Sequence, residues 1–178
     1  QWVREGMGLW SGWCMPWASM LHSRAGNPEM SELVLEIWNR VFTNEGRGTL
    51  HDFGIGGFTL IGPDFSKRGG EIMQMDAGMG VTAAILDMLC QVRRGVVHLF
   101  AGSPRTWTDA AFDGIRTPGA FLIGATRRHG RVAEIRIHSE RGGVVRIRSP
   151  WADGQVIAVQ TRAGQRMAIS EGSSRRIG

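Results

Sequence analysis

The sequence predicts a chain that is helical in its first half and an antiparallel β-sandwich in its second, with the boundary near residues 93–96. Up to about residue 92, apolar residues recur at intervals of three and four, the period of a helix that buries one face. After Gly95, short β-rich runs alternate with Gly, Pro or Asp, as strands joined by turns do. The sequence therefore predicts two parts, residues 1–94 and residues 95–178.

The first part contains three helical patterns. The clearest begins at Asn27-Pro28-Glu29, where a capping residue, a proline at the first helical position and an acid in the first turn mark a helix start. Its apolar stripe consists of Met30, Leu33, Val34, Ile37, Trp38 and Val41. An earlier helix, which Pro16 should kink or begin, carries a stripe of Leu9, Trp13, Trp17, Met20 and Leu21. A third helix is predicted from about Gly78 to Val92, after a long loop over residues 43–75.

The second part contains six predicted strands, at residues 96–100, 120–125, 132–139, 144–149, 156–160 and 167–170. In the third of these, Ile135 and Ile137 should face the core while Glu134, Arg136 and His138 face water. Such alternation is typical of an antiparallel sheet with one wet face.

Composition and charge exclude several classes of protein. The 178 residues are 42% hydrophobic and 21% charged, with no apolar run near the roughly 18 residues that a membrane helix needs. Residues 91–178 hold fifteen basic and six acidic residues, but their arginines are spread singly through predicted strands, which disfavours nucleic-acid binding. The histidines show no metal-ligand spacing and no phosphate-binding glycine loop occurs, so we expect neither a metal nor a cofactor. Cys14 and Cys90 are interpreted as two packed thiols.

Acids and aromatics remain as candidate functional residues. Trp10, Trp13 and Trp17 would share one side of a helix, where they either pack in the core or stack on a sugar. Asp76 follows the long loop at a helix start, where it either caps the helix or serves as a base. The second-line candidates are His51, Asp52 and Glu71.

Longer motifs resemble a known family. Gly8-Leu9-Trp10-Ser11-Gly12-Trp13 followed by the segment from Gln74 to Gln91 resembles the end of the catalytic barrel in glycoside hydrolase family 95. The segments from Val97 to Trp107 and from Gly114 to Phe121 are similar to the linking strand and the Gly-Leu-Arg-Ala-Arg-Gly-Gly-Phe segment of that family. The likeness continues through Arg131–Arg148 into the C-terminal β domain.

The resemblance implies the last helices of an (α/α)6 barrel, then a β-sandwich, in an inverting enzyme similar to α-L-fucosidases and α-L-galactosidases. Asp76 matches the catalytic Asp of the family segment Gln-Ile-Asp-Gly-Asn-Phe-Gly, and Trp10, Trp13 and Gln74 are the expected substrate-binding residues. Ala77 and Gly78 depart from that motif, which indicates a divergent specificity. The expected partner is a carbohydrate, and the resemblance favours a secreted or periplasmic location.

The resemblance also implies a fragment. The general acid of the family lies upstream of the matched region, and the three predicted helices are too few for a six-hairpin barrel. We therefore expect this chain alone to be inactive, to require the missing N-terminal part of the same barrel, and to expose apolar surface in its first ninety residues. The alternatives are a non-catalytic carbohydrate-binding or structural module, and a basic β domain that binds nucleic acid or an acidic glycan.

Overall fold

The computed structural model describes residues 10–51 and 73–174. The chain divides into two compact units, Gln1–Asp87 and Met88–Gly178. In the described ranges, no helix combines the length and the apolar character that a membrane crossing requires.

The first two helices pack against each other in the first unit. Helix α1 is Cys14–Arg24 and helix α2 is Pro28–Val41. The α2 start is confirmed, because the Asn27 side chain accepts a hydrogen bond from the Met30 N–H at 3.3 Å. Pro16 lies in the first turn of α1, where its missing N–H costs no helical hydrogen bond, so the interpretation of Pro16 as marking the helix start is confirmed.

The buried face of α1 differs from the predicted stripe. Trp17 and Leu21 are exposed, whereas the small residues Ala18 and Ser19 are fully buried. Ser19 exchanges hydrogen bonds with Ser31 of α2: each hydroxyl donates to the backbone carbonyl of the other residue at 2.9 Å. The helices pack closely through these small side chains, and Trp17 and Leu21 lie outside the contact.

The described residues of the first unit expose many large apolar side chains, as expected. Ten such residues lie between positions 13 and 86, against two in the described part of the second unit. They are Trp13, Trp17, Leu21, Met30, Leu33, Met73, Met75, Met79, Ile85 and Leu86.

Helix α3 is Met75–Leu89, and the predicted helix end at Val92 is wrong. The chain passes directly into strand β1, Cys90–Arg93, which pairs antiparallel with β2, Val96–Leu99. Arg94 and Gly95 form the two-residue turn, with φ of 50° and 77°. The hydrogen bonds between β1 and β2 across this turn favour a strand at Cys90–Arg93 over a continuation of α3.

A buried carboxylate joins the ends of α1 and α3. Asp87 accepts hydrogen bonds from Arg24 Nη2 at 2.5 Å and from the Ser23 hydroxyl at 3.1 Å. The ion pair and the hydroxyl compensate for the cost of burying this charge.

The second unit contains two four-stranded sheets. Sheet A has the order β1-β2-β6-β7, where β6 is Gly143–Arg148 and β7 is Val156–Thr161. Sheet B has the order β3-β4-β5-β8. Its strands are β3 Ala110–Thr117, β4 Phe121–Arg128, β5 Arg131–Ser139 and β8 Arg166–Ile169. A short helix, α4, follows at Glu171–Ser174.

All neighbouring strands of sheet B pair antiparallel, as predicted. In sheet A the prediction of antiparallel pairing is wrong for β2 and β6, which are parallel. Strand β3 is an addition to the predicted strands. Its alternation is interrupted by an irregularity between Phe112 and Ile115, where Gly114 has a φ of 70°.

The core of the second unit lies between the two sheets. Sheet B contributes Ile123, Ile135 and Ile137, and sheet A contributes Ile147 and Val159. The predicted alternation along β5 is confirmed, because Ile135 and Ile137 are buried while the residues between and beside them are partly exposed. The opposite face of sheet B is therefore polar and open to solvent.

We expect His98 on β2 to make the stability of the second unit depend on pH. Burial lowers its pKa below the ordinary 6.5, and the charges of Arg93 and Arg148 lower it further. The unfolded chain therefore binds a proton at a higher pH than the folded chain, so the free energy of unfolding should fall as the pH drops below about 6.5.

Urea unfolding of the chain and of His98→Gln at about pH 7.5 and about pH 5.5 tests this expectation. The acid-induced loss of stability should be smaller in the variant. An equal loss in both proteins would show that His98 is not responsible.

Candidate functional site

The segment before α1 is held against the loop that follows α2. The Gly12 N–H donates to the His51 carbonyl oxygen at 3.0 Å. The Trp13 N–H donates to Gln74 Oε1 at 2.7 Å. Glycine is required for this approach, because a β-carbon at position 12 would overlap the Leu50 carbonyl oxygen. These bonds fix the backbone from which the Trp13 side chain projects.

Gln74 connects this segment to the start of α3. Its N–H donates to the Thr49 carbonyl oxygen at 2.9 Å, and its own carbonyl oxygen accepts from the Thr49 hydroxyl. The same carbonyl accepts from the Ala77 N–H at 3.1 Å. Gln74 is half-buried and holds Trp13 through its side-chain oxygen. Direct contact of Gln74 with a substrate stays a prediction.

Asp76 is the second residue of α3 and is exposed. Its Oδ1 accepts a hydrogen bond from the adjacent Ala77 N–H at 3.0 Å. Because it lies inside the first turn, it is not the residue that precedes and caps the helix. A carboxylate in this position is stabilised by the helix dipole.

Two tryptophans form an exposed aromatic pair beside Asp76. The rings of Trp13 and Trp17 are stacked, with centroids 5.6 Å apart and planes 17° from parallel. They are 41% and 43% exposed, respectively. Core packing, the alternative interpretation of these residues, therefore does not describe this pair.

The aromatic pair lines an open hollow of about 290 Å³. Gly80 of α3 permits the close approach of α1, because a β-carbon there would lie 2.9 Å from Pro16 Cγ. The hollow is lined by Trp13, Pro16, Trp17, Met20, Asp76 and Gly80. Asp76 is the sole titratable residue among them.

Trp10, another predicted site residue, does not line this hollow. Trp10 is half-buried and packs against the buried cluster that contains Met15 and Phe42. Asp52 and Glu71 lie outside the described residues. The prediction of two packed thiols is confirmed for Cys90, which is free and buried, whereas Cys14 is free and only partly buried.

The sequence does not single out Pro16, Met20 and Gly80 as site residues, and it leaves Trp17 open between core packing and contact with a sugar. Spacing placed Trp13 and Trp17 on one side of a helix, but it does not reveal whether that side is exposed. Gly80 falls one helical turn after Asp76, and only the distance to Pro16 shows that this glycine admits α1. The structure thus brings Trp13, Gln74 and Asp76 together and separates Trp10 from them.

The hollow combines flat apolar rings with one carboxylate. Such a surface can stack against the C–H face of a sugar while the carboxylate accepts hydrogen bonds from hydroxyls. Inverting hydrolysis needs two carboxyl groups, separated by roughly 6.5–9.5 Å. The residues that line the hollow contain one carboxyl group, so they do not form such a pair by themselves.

Residues 91–176 match the family model described as Glycoside hydrolase family 95, C-terminal domain. The resemblance stated from the motifs is therefore confirmed for a C-terminal portion of that family. No curated protein matches the chain.

Proposed function

We propose that the chain is the C-terminal portion of an inverting enzyme similar to α-L-fucosidases and α-L-galactosidases. The proposal proceeds from the match of residues 91–176 to the C-terminal domain of glycoside hydrolase family 95. The intact parent would hydrolyse terminal glycosidic bonds of oligosaccharides or polysaccharides. Residues 1–94 would form the last helices of its (α/α)6 barrel, and residues 95–178 its β-sandwich domain.

One observation carries the assignment of the site: Asp76 lines the same hollow as the exposed Trp13 and Trp17 rings. In the proposed mechanism, Asp76 orients an amide that holds the nucleophilic water, and the missing N-terminal part of the barrel supplies the general acid. Trp10, which packs against the buried cluster that contains Met15, supports the helix that carries Trp17. Trp13 contacts the sugar, and Gln74 holds Trp13.

The parent protein tests this function directly. It should release fucose or galactose from terminal α-L-linked substrates, and proton NMR of the first product formed should show the inverted anomer. Retention of configuration, or no hydrolysis of either substrate, would contradict the proposal.

A non-catalytic carbohydrate-binding or structural module is the alternative. The single carboxylate of the hollow, together with Ala77 and Gly78 in place of the motif's Gly-Asn, favours it. Calorimetry separates the two functions. An inactive parent in which Trp13→Ala abolishes sugar binding would indicate a binding module, whereas hydrolysis by the parent would indicate the enzyme.

A further inference from the structure

A second hollow lies on the polar face of sheet B. Its volume is about 450 Å³, within the usual range for small-ligand sites. Residues from all four strands line it, among them Asp113, Leu122, Arg136, His138, Arg166 and Ala168. This hollow uses none of the residues of the proposed hydrolytic site.

Arg136 forms a rigid part of this hollow. Its Nη1 donates to Glu134 at 2.8 Å and to the Thr126 hydroxyl at 2.9 Å, while Nη2 donates to the Phe112 carbonyl oxygen at 2.9 Å. Its Nε contacts Asp113 at 3.3 Å. Arg136 is thus held in one position, and its single positive charge is shared by two carboxylates.

Gly124 keeps the space beside Arg136 open. A β-carbon at this position would overlap Asp113 Oδ1 and lie 3.1 Å from Arg136 Nε. A larger residue would therefore displace the Asp113 carboxylate from Arg136. Leu122, two positions earlier on the same strand, supplies an apolar wall.

Arg166 brings a second guanidinium to the hollow, and this one is not engaged by those carboxylates. It is exposed and lies directly opposite His138 in the register of β5 and β8. In the described ranges of the chain, the ion pairs of sheet B involve Arg116, Arg128, Arg131 and Arg136, but not Arg166. Arg116 lies in the same row across the sheet as Arg166, but it forms an ion pair with Glu140 through hydrogen bonds of 2.6 and 2.8 Å.

We propose that this hollow binds an acidic sugar residue, a uronate, through the guanidinium of Arg166. A guanidinium presents two parallel N–H donors that match a carboxylate. The Asp113 side chain is 76% exposed and can accept a hydrogen bond from a sugar hydroxyl, while Leu122 contacts the C–H groups of the ring. The ligand class follows from this combination of one guanidinium that forms no ion pair in the described residues, one accessible carboxylate and one apolar side chain.

Calorimetry of the chain with trigalacturonate tests this site. Arg166→Gln should weaken binding by about tenfold or more, because it removes the bidentate partner of the carboxylate. Arg146→Gln removes a similarly exposed arginine from a strand of sheet A and should leave the affinity unchanged. The methyl ester of the same trisaccharide should bind the chain as weakly as trigalacturonate binds the Arg166→Gln variant.

Other results would overturn the proposal. These are no measurable binding of trigalacturonate, equal binding of its methyl ester, or equal losses in the two arginine variants. Tighter binding of a sulfated galactose trisaccharide would assign the site to sulfate esters instead. Tighter binding of a single-stranded oligonucleotide, with a steep dependence on salt, would indicate a nucleic-acid surface.

Discussion

Asp76→Asn in the intact parent is expected to lower kcat by roughly 10²- to 10⁴-fold, the usual contribution of acid–base assistance, with little change in KM. Asparagine retains the oxygen that accepts the Ala77 N–H, so the first turn of α3 should keep its geometry. The change removes only the charge that would orient the water-holding amide. Because Asp76 is exposed, its replacement should change the free energy of unfolding by less than about 1 kcal/mol.

Glu29→Gln provides the matched control for this variant. Glu29 is also an exposed acid in the first turn of a helix, in this case α2. Its replacement removes the same charge from a helix start without touching the hollow. The control should therefore retain the kcat of the wild-type parent. A drop in both variants would indicate a general effect of charge rather than a role for Asp76.

Steady-state kinetics on a terminal fucosyl or galactosyl substrate measures the effect. Undiminished kcat in Asp76→Asn would remove the catalytic assignment, while leaving the family match of residues 91–176 intact. A rise in KM with unchanged kcat would make Asp76 a substrate-binding residue. Thermal unfolding of the same samples distinguishes loss of chemistry from loss of fold.

The helix starts were the most predictable part of the fold. Asn27 and Pro28 act locally, through a side-chain cap and a fixed φ, so their effect can be inferred from adjacent residues alone. Strand β1 was not predictable in this way, because Cys90–Arg93 continues the apolar pattern of α3. Its conformation depends on pairing with β2 across a turn that lacks the usual Asn-Gly sequence.

The site was only partly predictable for a similar reason. Periodicity shows that Trp13 and Trp17 share a side of α1, but the packing of Ser19 against Ser31 decides which side is buried. Asp76 could be selected because it lies at a helix start after a long loop. Its proximity to the tryptophans depends on the contact between Gly80 and Pro16, which only the three-dimensional structure reveals.

Gly12→Ala is expected to lower the free energy of unfolding of the first unit by about 3 kcal/mol, toward the upper end for an overpacked site. The new methyl group would overlap the Leu50 carbonyl oxygen, which belongs to the backbone and cannot rotate away. The two segments must then separate. Their separation breaks the Gly12–His51 hydrogen bond and the adjacent bond from Trp13 to Gln74.

Gly46→Ala is the matched control in the same unit. A β-carbon there would meet only the Asn44 side chain, at an ordinary distance of 3.5 Å. We expect this change to alter the stability by no more than about 0.5 kcal/mol. Denaturant unfolding followed by tryptophan fluorescence compares the variants. Equal stability of Gly12→Ala and the wild type would show that the segments separate without cost.

Hydrogen exchange at the amides of residues 12 and 13 connects this stability to the site. In Gly12→Ala both amides should lose protection, since their acceptors His51 and Gln74 move away. If Gln74 holds Trp13 for sugar contact, the same variant of the parent should also bind substrate more weakly, whereas Asp76→Asn should affect turnover. Retained protection of the Trp13 amide together with weakened substrate binding would contradict this positioning role of Gln74.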